Sequence, residues 1–379
     1  MAGPTPTSTP YSPRSGAPGG AADPQLTAAA ADLAPATLVR GATTAARAAG
    51  LWREPTQVAP IRARSGSWTP RTSTRVEAFL RRTALAAGIT PKQLRGPGYR
   101  IVLPGAYVAA ATVITPLLRV RAALLPYGEV AWASHASAAR VYDLPIPTIG
   151  WEHVSVPRAG QRRRHQGVKV HVGGPAARTR IVRGVRVSEP LVLFVEMAGL
   201  LGLVDLVVLG DAMVRRGLVT PEALVGSCAT VVHPSAAASR RAAAYVRCDV
   251  DSPMETRLRM LLVLAGLPEP EVNLKIRDVD GDVLRKYDLS YPAVRVAIEY
   301  NGKVHVLTPG AWEADLERRD AVDDDGWRLL PVISSGIYST PGQTLRRIHR
   351  VLLARGLPGV PTRLGDQWRA HFPGHADAA

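Results

Sequence analysis

Two acidic residues and a histidine stand where two predicted strands meet. The strand Leu284–Leu289 carries Asp288 near its end, and the strand Val294–Tyr300 carries Glu299 near its end. His305 follows shortly after the second strand. Adjacent strands lie about 4.8 Å apart, so two such carboxylates can converge on one divalent cation. We therefore predict a metal site at these two acids.

Both acids also have a purely structural interpretation. Asp288 can be a strand-end residue that hydrogen-bonds a turn, and Glu299 can be an exposed strand acid. However, Glu299 follows the apolar run Val296–Ile298, which is typical of a buried strand. Burying a carboxylate that has no partner is costly. This cost favours a site that uses both acids.

The elements that would position these acids form a C-terminal α/β unit. Ser252 and Pro253 open a helix, and Glu255 at its third position is either a capping residue or an additional catalytic acid. Turns are predicted at Ser290-Tyr291-Pro292 and at Asn301-Gly302. The order helix, three strands, helix, strand, helix indicates a mixed sheet covered by helices. After the first helix the predicted elements are Val272–Arg277, Leu284–Leu289, Val294–Tyr300, Trp312–Asp325, Trp327–Ile333 and Pro341–Arg355.

Residues 73–145 are predicted to be α+β, in the element order of a winged helix-turn-helix. A helix is expected over Arg75–Gly88, and Thr90-Pro91 opens a second, short helix. A hairpin follows, with strands at 99–103 and 106–108. Three basic side chains around the second helix and the wing either contact DNA phosphates or form a solvated edge: Lys92, Arg95 and Arg100.

Residues 146–250 are predicted to be a further α+β region. Short strands are expected at 153–156, 168–171 and 185–187, and Ser188 is predicted to cap the helix that follows. His135, which begins an earlier helix of small residues, is interpreted as a capping or core residue. A loop between the first two strands either touches nucleic acid or is merely solvated, and its basic residues are Arg162, Arg163 and Arg164.

Charge is distributed unevenly along the 379-residue chain, whose formal net charge is +16. Residues 1–250 carry 30 basic and 13 acidic side chains, whereas residues 251–379 carry 17 and 18. A coding bias towards arginine can explain the high arginine content, but the resulting positive charge attracts anionic partners in either case. A basic surface upstream of the acidic stretch favours a polyanionic partner, and we predict DNA.

The remaining composition indicates a cytoplasmic protein with a disordered start. Residues 1–72 are rich in proline, alanine and glycine and show no periodicity, so we predict disorder there. The two cysteines, Cys228 and Cys248, form no metal-binding spacing and suit a reducing compartment. The most apolar run, 190–210, contains Glu196 and Asp205, which argues against a membrane span.

Several motifs in order give residues 252–356 a resemblance to the Vsr-like endonuclease domain of the PD-(D/E)XK superfamily. They are Ser252-Pro-Met-Glu-Thr-Arg-Leu258, Tyr287-Asp-Leu289, Ala297-Ile-Glu-Tyr-Asn-Gly302, His305, Asp315, Arg318-Arg319 and Gly326-Trp-Arg328. The resemblance implies a restriction-endonuclease-like fold and metal-dependent phosphodiester cleavage. Mg²⁺ is the implied ion, with Mn²⁺ as the alternative, because hard cations prefer carboxylate oxygens.

Within that chemistry, Asp288 and Glu299 are the expected metal ligands. His305 is either a general base, a stabiliser of the leaving group or a structural histidine. Arg319 either binds phosphate in bidentate fashion or pairs with a neighbouring acid on its helix. The family often has an acid or lysine two residues after its glutamate, but this chain has Asn301. Its amide oxygen can bind a metal yet cannot take a proton, so Asn301 is either a weaker ligand or a turn residue.

Residues 75–230 resemble the winged-helix and following domains of AbiEi-type (type IV) antitoxins. The matching motifs are Leu103-Pro-Gly-Ala-Tyr-Val108, Ser134-His-Ala-Ser-Ala-Ala139 and Val187-Ser-Glu-Pro-Leu191. In that family the winged helix binds promoter DNA, and the resemblance implies the same here. It also implies a toxin as a protein partner.

Five segments follow from these observations: a disordered tail, a winged-helix-like domain, an antitoxin-like α+β domain, a Vsr-like nuclease domain and a C-terminal tail (1–72, 73–145, 146–250, 251–356 and 357–379). The leading hypothesis is a magnesium-dependent DNA endonuclease that the basic winged-helix region docks on DNA. The alternative is a catalytically inactive DNA-binding regulator, or an antitoxin-like protein, that retains the nuclease fold. A repair protein is a further expected partner.

Overall fold

The computed structural model describes residues 77–302, 325–372 and 374. All of them belong to one compact unit, Trp68–Ala379. The tail at 1–72 lies outside the described residues. So do His305, Arg319 and most of the predicted helix Trp312–Asp325.

The described chain opens with a three-stranded sheet of order β1-β3-β2. The predicted helix Arg75–Gly88 begins only at Arg81, because Phe79 and Leu80 pair with the sheet and the amide of Arg81 donates to the carbonyl of Gly105 at 2.9 Å. The elements are β1 (Phe79–Leu80), α1 (Arg81–Ala86), α2 (Pro91–Leu94), β2 (Tyr99–Leu103) and β3 (Ala106–Ala109).

The middle of the chain forms a five-stranded sheet of order β6-β5-β4-β8-β7. Its strands are β4 (Trp132–Ala133), β5 (Glu152–Val156), β6 (Val168–Val172), β7 (Thr179–Val182) and β8 (Val185–Ser188). The pairs β5–β6 and β4–β8 are parallel, and the other pairs are antiparallel. β7 is not evident from the sequence because this edge strand has no buried residue and therefore no apolar alternation.

Helices surround this sheet and lead into the C-terminal part. They are α3 (Pro116–Leu124), α4 (His135–Val141), α5 (Pro190–Met197), α6 (Leu203–Arg215), α7 (Pro221–Thr230) and α8 (Ala236–Ala243). The prediction that Ser188 caps α5 is wrong. Glu189 is the N-cap and makes no side-chain capping bond, whereas the Ser188 hydroxyl donates to Oε1 of Glu196 at 2.9 Å.

The C-terminal part is an α/β layer whose four-stranded mixed sheet has the order β12-β11-β10-β9. The predicted mixed sheet is thus confirmed, with β11 and β12 parallel and the other pairs antiparallel. The elements are α9 (Pro253–Leu264), β9 (Glu271–Arg277), β10 (Val283–Tyr291), β11 (Val296–Asn301), β12 (Arg328–Ile333), α10 (Ser334–Tyr338) and α11 (Pro341–Ala354).

The first predicted turn of this sheet is displaced, and the second does not begin at Asn301. Ser290 and Tyr291 remain in β10, and the chain reverses through a 3-10 turn at Pro292–Val294 followed by Arg295 with φ 50°. Asn301 is the last residue of β11, where it pairs with Ile333 of β12. The parallel neighbour therefore extends the strand beyond the point at which an Asn-Gly pair usually ends it.

A single hydrophobic cluster runs from the middle helices into the C-terminal sheet. It contains Leu209 of α6, Leu258 of α9, Ile298 of β11 and Leu345 of α11, each fully buried. Phe372, near the end of the described chain, is buried in the same cluster. In the described part of the chain, every helix is too short or too polar to cross a membrane.

Candidate active site

Asp288 and Glu299 lie on neighbouring antiparallel strands, one step beyond a register pair. Leu289 of β10 stands opposite Ile298 of β11, so the two acids are the next residues along each strand. Glu299 is 8% exposed and Asp288 is partly buried. The backbone amide of Tyr300 donates a hydrogen bond to Oδ2 of Asp288 at 2.8 Å. This bond holds the Asp288 carboxylate beside the strand that carries Glu299.

The β9–β10 pair is kinked at Asp288. The register places Asn273 of β9 opposite Asp288, and Asn273 has a positive φ of 52°. Leu289 packs into the main core, whereas Tyr287 packs with Trp327 in a separate cluster. Residues two apart in a regular strand share a face. The alternation therefore breaks at Asp288, which changes the direction in which this part of the sheet presents its side chains.

The first turn of α9 lies beside Asn273, the residue opposite Asp288. Oε2 of Glu255 accepts hydrogen bonds from Nδ2 of Asn273 at 3.1 Å and from the amide of Asp251 at 3.0 Å. Ser252 caps α9 as predicted, since its Oγ accepts from the amide of Glu255 at 3.2 Å. Burial raises the pKa of Glu255, and the charge of Asp288 raises it further. Glu255 therefore lies within electrostatic reach of Asp288, and its side chain accepts from the amide of Asp251 rather than from that of the N-cap residue Ser252, so the capping interaction is not reciprocal.

Of the other predicted ligands, Asn301 lies two residues after Glu299 at the exposed end of β11. Residues at this spacing share a strand face. His305 and Arg319 lie outside the described residues. The arrangement therefore consists of two carboxylates on adjacent strands, with Glu255 close enough to Asp288 to feel its charge and an amide two residues after Glu299. Carboxylate and amide oxygens are the ligands that Mg²⁺ and Mn²⁺ prefer.

All six predicted DNA-binding residues are exposed, but only two of them line a groove together. The groove has a volume of about 400 Å³ and runs between α1 and the loop that precedes β6. Its basic lining consists of Arg81, Arg82, Arg163, Arg164 and His165. Lys92, Arg95, Arg100 and Arg162 are exposed outside this lining.

A second cluster of chemically active side chains was not predicted. His135 is the first residue of α4, His153 lies in β5 and His171 lies in β6. One ring nitrogen from each lies within 4.8 Å of the other two. Nδ1 of His153 is 3.0 Å from Nε2 of His171, and the rings of His135 and His171 stack with centroids 3.8 Å apart. The interpretation of His135 as only a capping or core residue therefore misses its place in this cluster.

Burial and nearby positive charges lower the pKa of all three histidines. Burial, followed by the charges of the nearby His171 and His153, lowers the pKa of His135 to about 2. Burial followed by the charge of His171 lowers the pKa of His153 to about 4. Burial and the charge of Lys169 lower the pKa of His171 to about 4. Neutral imidazole is the form that binds metals.

A partly buried carboxylate, Glu196, supports the helix end of this cluster. The amide of His135 donates to Oε2 of Glu196 at 2.9 Å, and Nδ1 of His135 lies 3.8 Å from the same oxygen. Burial raises the pKa of Glu196 to about 7, against the hydrogen bonds from His135 and Ser188. His135 itself has φ 48°, a left-handed conformation that is uncommon for a residue other than glycine.

Comparison with known proteins gives a limited likeness. No family model matches the chain. An uncharacterized protein of Mycobacterium tuberculosis, from strains CDC 1551 / Oshkosh and H37Rv, is 29% identical over 102 residues. That stretch is 27% of this chain and 37% of the relative, so the chain spans little more than a third of the curated relatives it matches.

Proposed function

We propose that this chain is a divalent-metal-dependent DNA endonuclease that hydrolyses phosphodiester bonds in the cytoplasm. The observation that carries the proposal is the position of Asp288 and Glu299 on adjacent strands, one step beyond a register pair. The resemblance of 252–356 to Vsr-like endonucleases supplies the reaction. Glu255, electrostatically coupled to Asp288, is a third acid of the same site.

The chemistry of these residues fits Mg²⁺, and Mn²⁺ is the alternative. Asp288 and Glu299 offer hard carboxylate oxygens, and neither a thiol nor an imidazole is among the donors of the described site. When bound, such a cation polarises the phosphate and lowers the pKa of water. The Tyr300 amide fixes the direction of Asp288, and Asn273 fixes that of Glu255. Side chains that are already held in their binding orientation lose less conformational entropy when the metal binds.

The basic N-terminal and middle regions are the proposed DNA-docking surface. The order β1, α1, α2, β2, β3 agrees with a winged-helix-like module in which Lys92, Arg95 and Arg100 contact phosphates. Arg163 and Arg164 supply a second row of contacts from the groove beside α1. Arg162 extends this row outside the groove. Phosphate contacts of this kind position a protein on DNA without reading its sequence.

Nicking of supercoiled plasmid in Mg²⁺ or Mn²⁺ tests the proposal. Asp288→Asn and Glu299→Gln keep side-chain volume but remove charge, and we expect each to lower the nicking rate at least about 100-fold, in line with the loss of key electrostatic contacts in other active sites. Asp280→Asn, on the exposed β9–β10 turn, is the matched control and retains wild-type activity. Wild-type rates in both site variants would rule out the assignment.

A second candidate is a DNA-binding regulator without nuclease activity. Asn301 favours it, because an amide at the position where related sites carry an acid or lysine cannot accept a proton. This candidate predicts salt-dependent DNA binding with no cleavage in Mg²⁺ or Mn²⁺. In that case the expected protein partner is a toxin or a repair protein, and it would co-purify with the chain.

A further inference from the structure

We propose that His135, His153 and His171 bind one transition-metal ion, and that Zn²⁺ is that ion. This histidine site is separate from the carboxylate site. It uses imidazole nitrogens, which suit Zn²⁺, rather than the oxygens that suit Mg²⁺. Three protein ligands leave one position of a tetrahedral ion for water.

The strand register explains how two of the ligands meet. In the parallel pair β5–β6, Ser155 lies beside His171. Side chains alternate along a strand, so His153, two residues before Ser155, projects from the same face as His171. Their nearest ring nitrogens are already 3.0 Å apart. Zinc–nitrogen bonds of about 2.0–2.1 Å place two tetrahedral ligands about 3.3 Å apart.

The third ligand comes from the N-terminus of α4, which packs on β5. His135 reaches the cluster through its left-handed backbone conformation. Conformations of this kind persist where the surroundings fix them, and they are common at functional sites. The hydroxyl of Ser155 donates to Oγ of Ser134 at 2.8 Å, which ties the residue before His135 to β5. All three nitrogens lie within 4.8 Å of one another, so small side-chain rotations close the site.

Glu196 acts as a positioning residue for this site. Metal-bound histidines usually interact through their other nitrogen with a carboxylate or carbonyl, which fixes the ring. Oε2 of Glu196 accepts the backbone amide of His135 at 2.9 Å, while Nδ1 of His135 lies 3.1 Å from Oγ of Ser134 and 3.8 Å from Oε2 of Glu196. Ser188 fixes the second oxygen. The carboxylate is therefore held on both sides while it faces His135.

The bound ion would connect α4 to the β5–β6 edge, so its first effect is on stability. A ligand that binds only the folded state raises the unfolding temperature. The test uses the full chain, stripped with a chelator and titrated with Zn²⁺ alone. We expect one equivalent to bind and the unfolding temperature to rise. We also expect Co²⁺ in place of Zn²⁺ to give the visible absorption of a tetrahedral ion.

Variants of His153, His171 and Glu196 distinguish zinc binding at this site from zinc binding elsewhere on the protein. His171→Ala and His153→Ala are expected to weaken zinc binding at least about 100-fold, because each removes a ligand. Glu196→Gln is expected to weaken it about 10–100-fold, as for other outer residues of metal sites. His165→Ala is the matched control, since the ring of His165 contacts only the carbonyl of Gln166 among the described hydrogen bonds. It retains one equivalent.

The outcomes also distinguish this inference from the proposed nuclease activity. Asp288→Asn must keep its zinc stoichiometry and affinity, whether or not it cleaves DNA. If His153→Ala does not fold, His171→Gln, at a partly exposed position, carries the test. Wild-type protein that binds less than one-tenth of an equivalent of Zn²⁺ overturns the inference. Wild-type affinity in both His171→Ala and His171→Gln overturns it as well.

Discussion

Replacing Asp211 with asparagine removes a charge that is buried between the middle helices and the C-terminal part. Nη2 of Arg259, whose side chain is 0% exposed, donates to Oδ2 of Asp211 at 2.8 Å. Thr256 donates to the same oxygen at 2.8 Å, and the amide of Arg247 donates to Oδ1 at 2.8 Å. Burial raises the pKa of Asp211 in spite of these donors. The pair therefore joins α6 to α9 at a considerable desolvation cost.

The expected loss of stability follows from the charge that remains. Removing one partner of a buried pair costs about 3–5 kcal/mol, because the other charge is left buried. Arg259 keeps a second partner, since its Nη1 lies 3.0 Å from Oε1 of Glu269. We therefore expect the lower limit, about 3 kcal/mol. A shift of about 2–4 °C per kcal/mol, typical of domains of 150–250 residues, then lowers the unfolding temperature by about 6–12 °C.

Differential scanning calorimetry of the full chain measures this shift, and two variants make it interpretable. Asp143→Asn breaks the exposed pair between Asp143 and Arg216, whose side chains are 63% and 37% exposed. Such a pair contributes less than about 1 kcal/mol. The double variant Asp211→Asn with Arg259→Met removes both charges, and it is expected to recover at least half of the loss.

Two results would contradict this reasoning. The first is an unfolding temperature for Asp211→Asn no lower than that of Asp143→Asn, which would mean that the buried pair contributes no more than a surface pair. The second is a double variant whose loss equals or exceeds the sum of the single losses. That result would show that Arg259 is not destabilised by losing Asp211.

Two further predictions use close packing and surface charge. Gly210→Ala places a Cβ atom 2.4 Å from Cγ2 of Val246, so we expect about 1–3 kcal/mol of destabilisation in urea unfolding. Gly226→Ala is its control, because a Cβ there meets nothing within 4 Å and should stabilise the helix by about 0.5–1 kcal/mol. Changing both Arg163 and Arg164 to alanine should lower the slope of the logarithm of the DNA-binding constant against the logarithm of the salt concentration by the equivalent of about two phosphate contacts. Fluorescence anisotropy at several salt concentrations measures this slope. An unchanged slope would remove the groove from the DNA-binding surface.

The sequence predicts the C-terminal sheet well because its signals are local. Val296–Ile298 is an apolar run, and it forms the buried part of β11. Ser252 is an N-cap residue, and it accepts the expected hydrogen bond. The predicted turn before β11 lies two residues too early, because Ser290 and Tyr291 pair with β11 and stay in β10, so that the turn begins at Pro292.

The kink and the histidine cluster could not be predicted because both depend on long-range contacts. Asn273 takes its positive φ where α9, the helix that precedes β9, supplies the Glu255 carboxylate from 18 residues away. The parallel register of β5 and β6 brings His153 and His171 together, and a single sequence does not reveal that register. The available signal was a histidine in each of two short predicted strands, at His153 and His171. That signal suggests proximity but cannot locate His135.

The kink opposite Asn273 also constrains the order in which the sheet can assemble. The alternation of side chains along the strands does not by itself fix how β9 aligns with β10. A slip of one residue would move every side chain of the slipped strand to the other face of the sheet. The hydrogen bond from Asn273 to Glu255 is available in a single alignment, and only after α9 has docked. The hairpin therefore acquires its final alignment from the helix. We expect a chain interrupted between α9 and β9 to pair β9 with β10 in more than one alignment, while the β10–β11 pair keeps Asp288 beside Glu299.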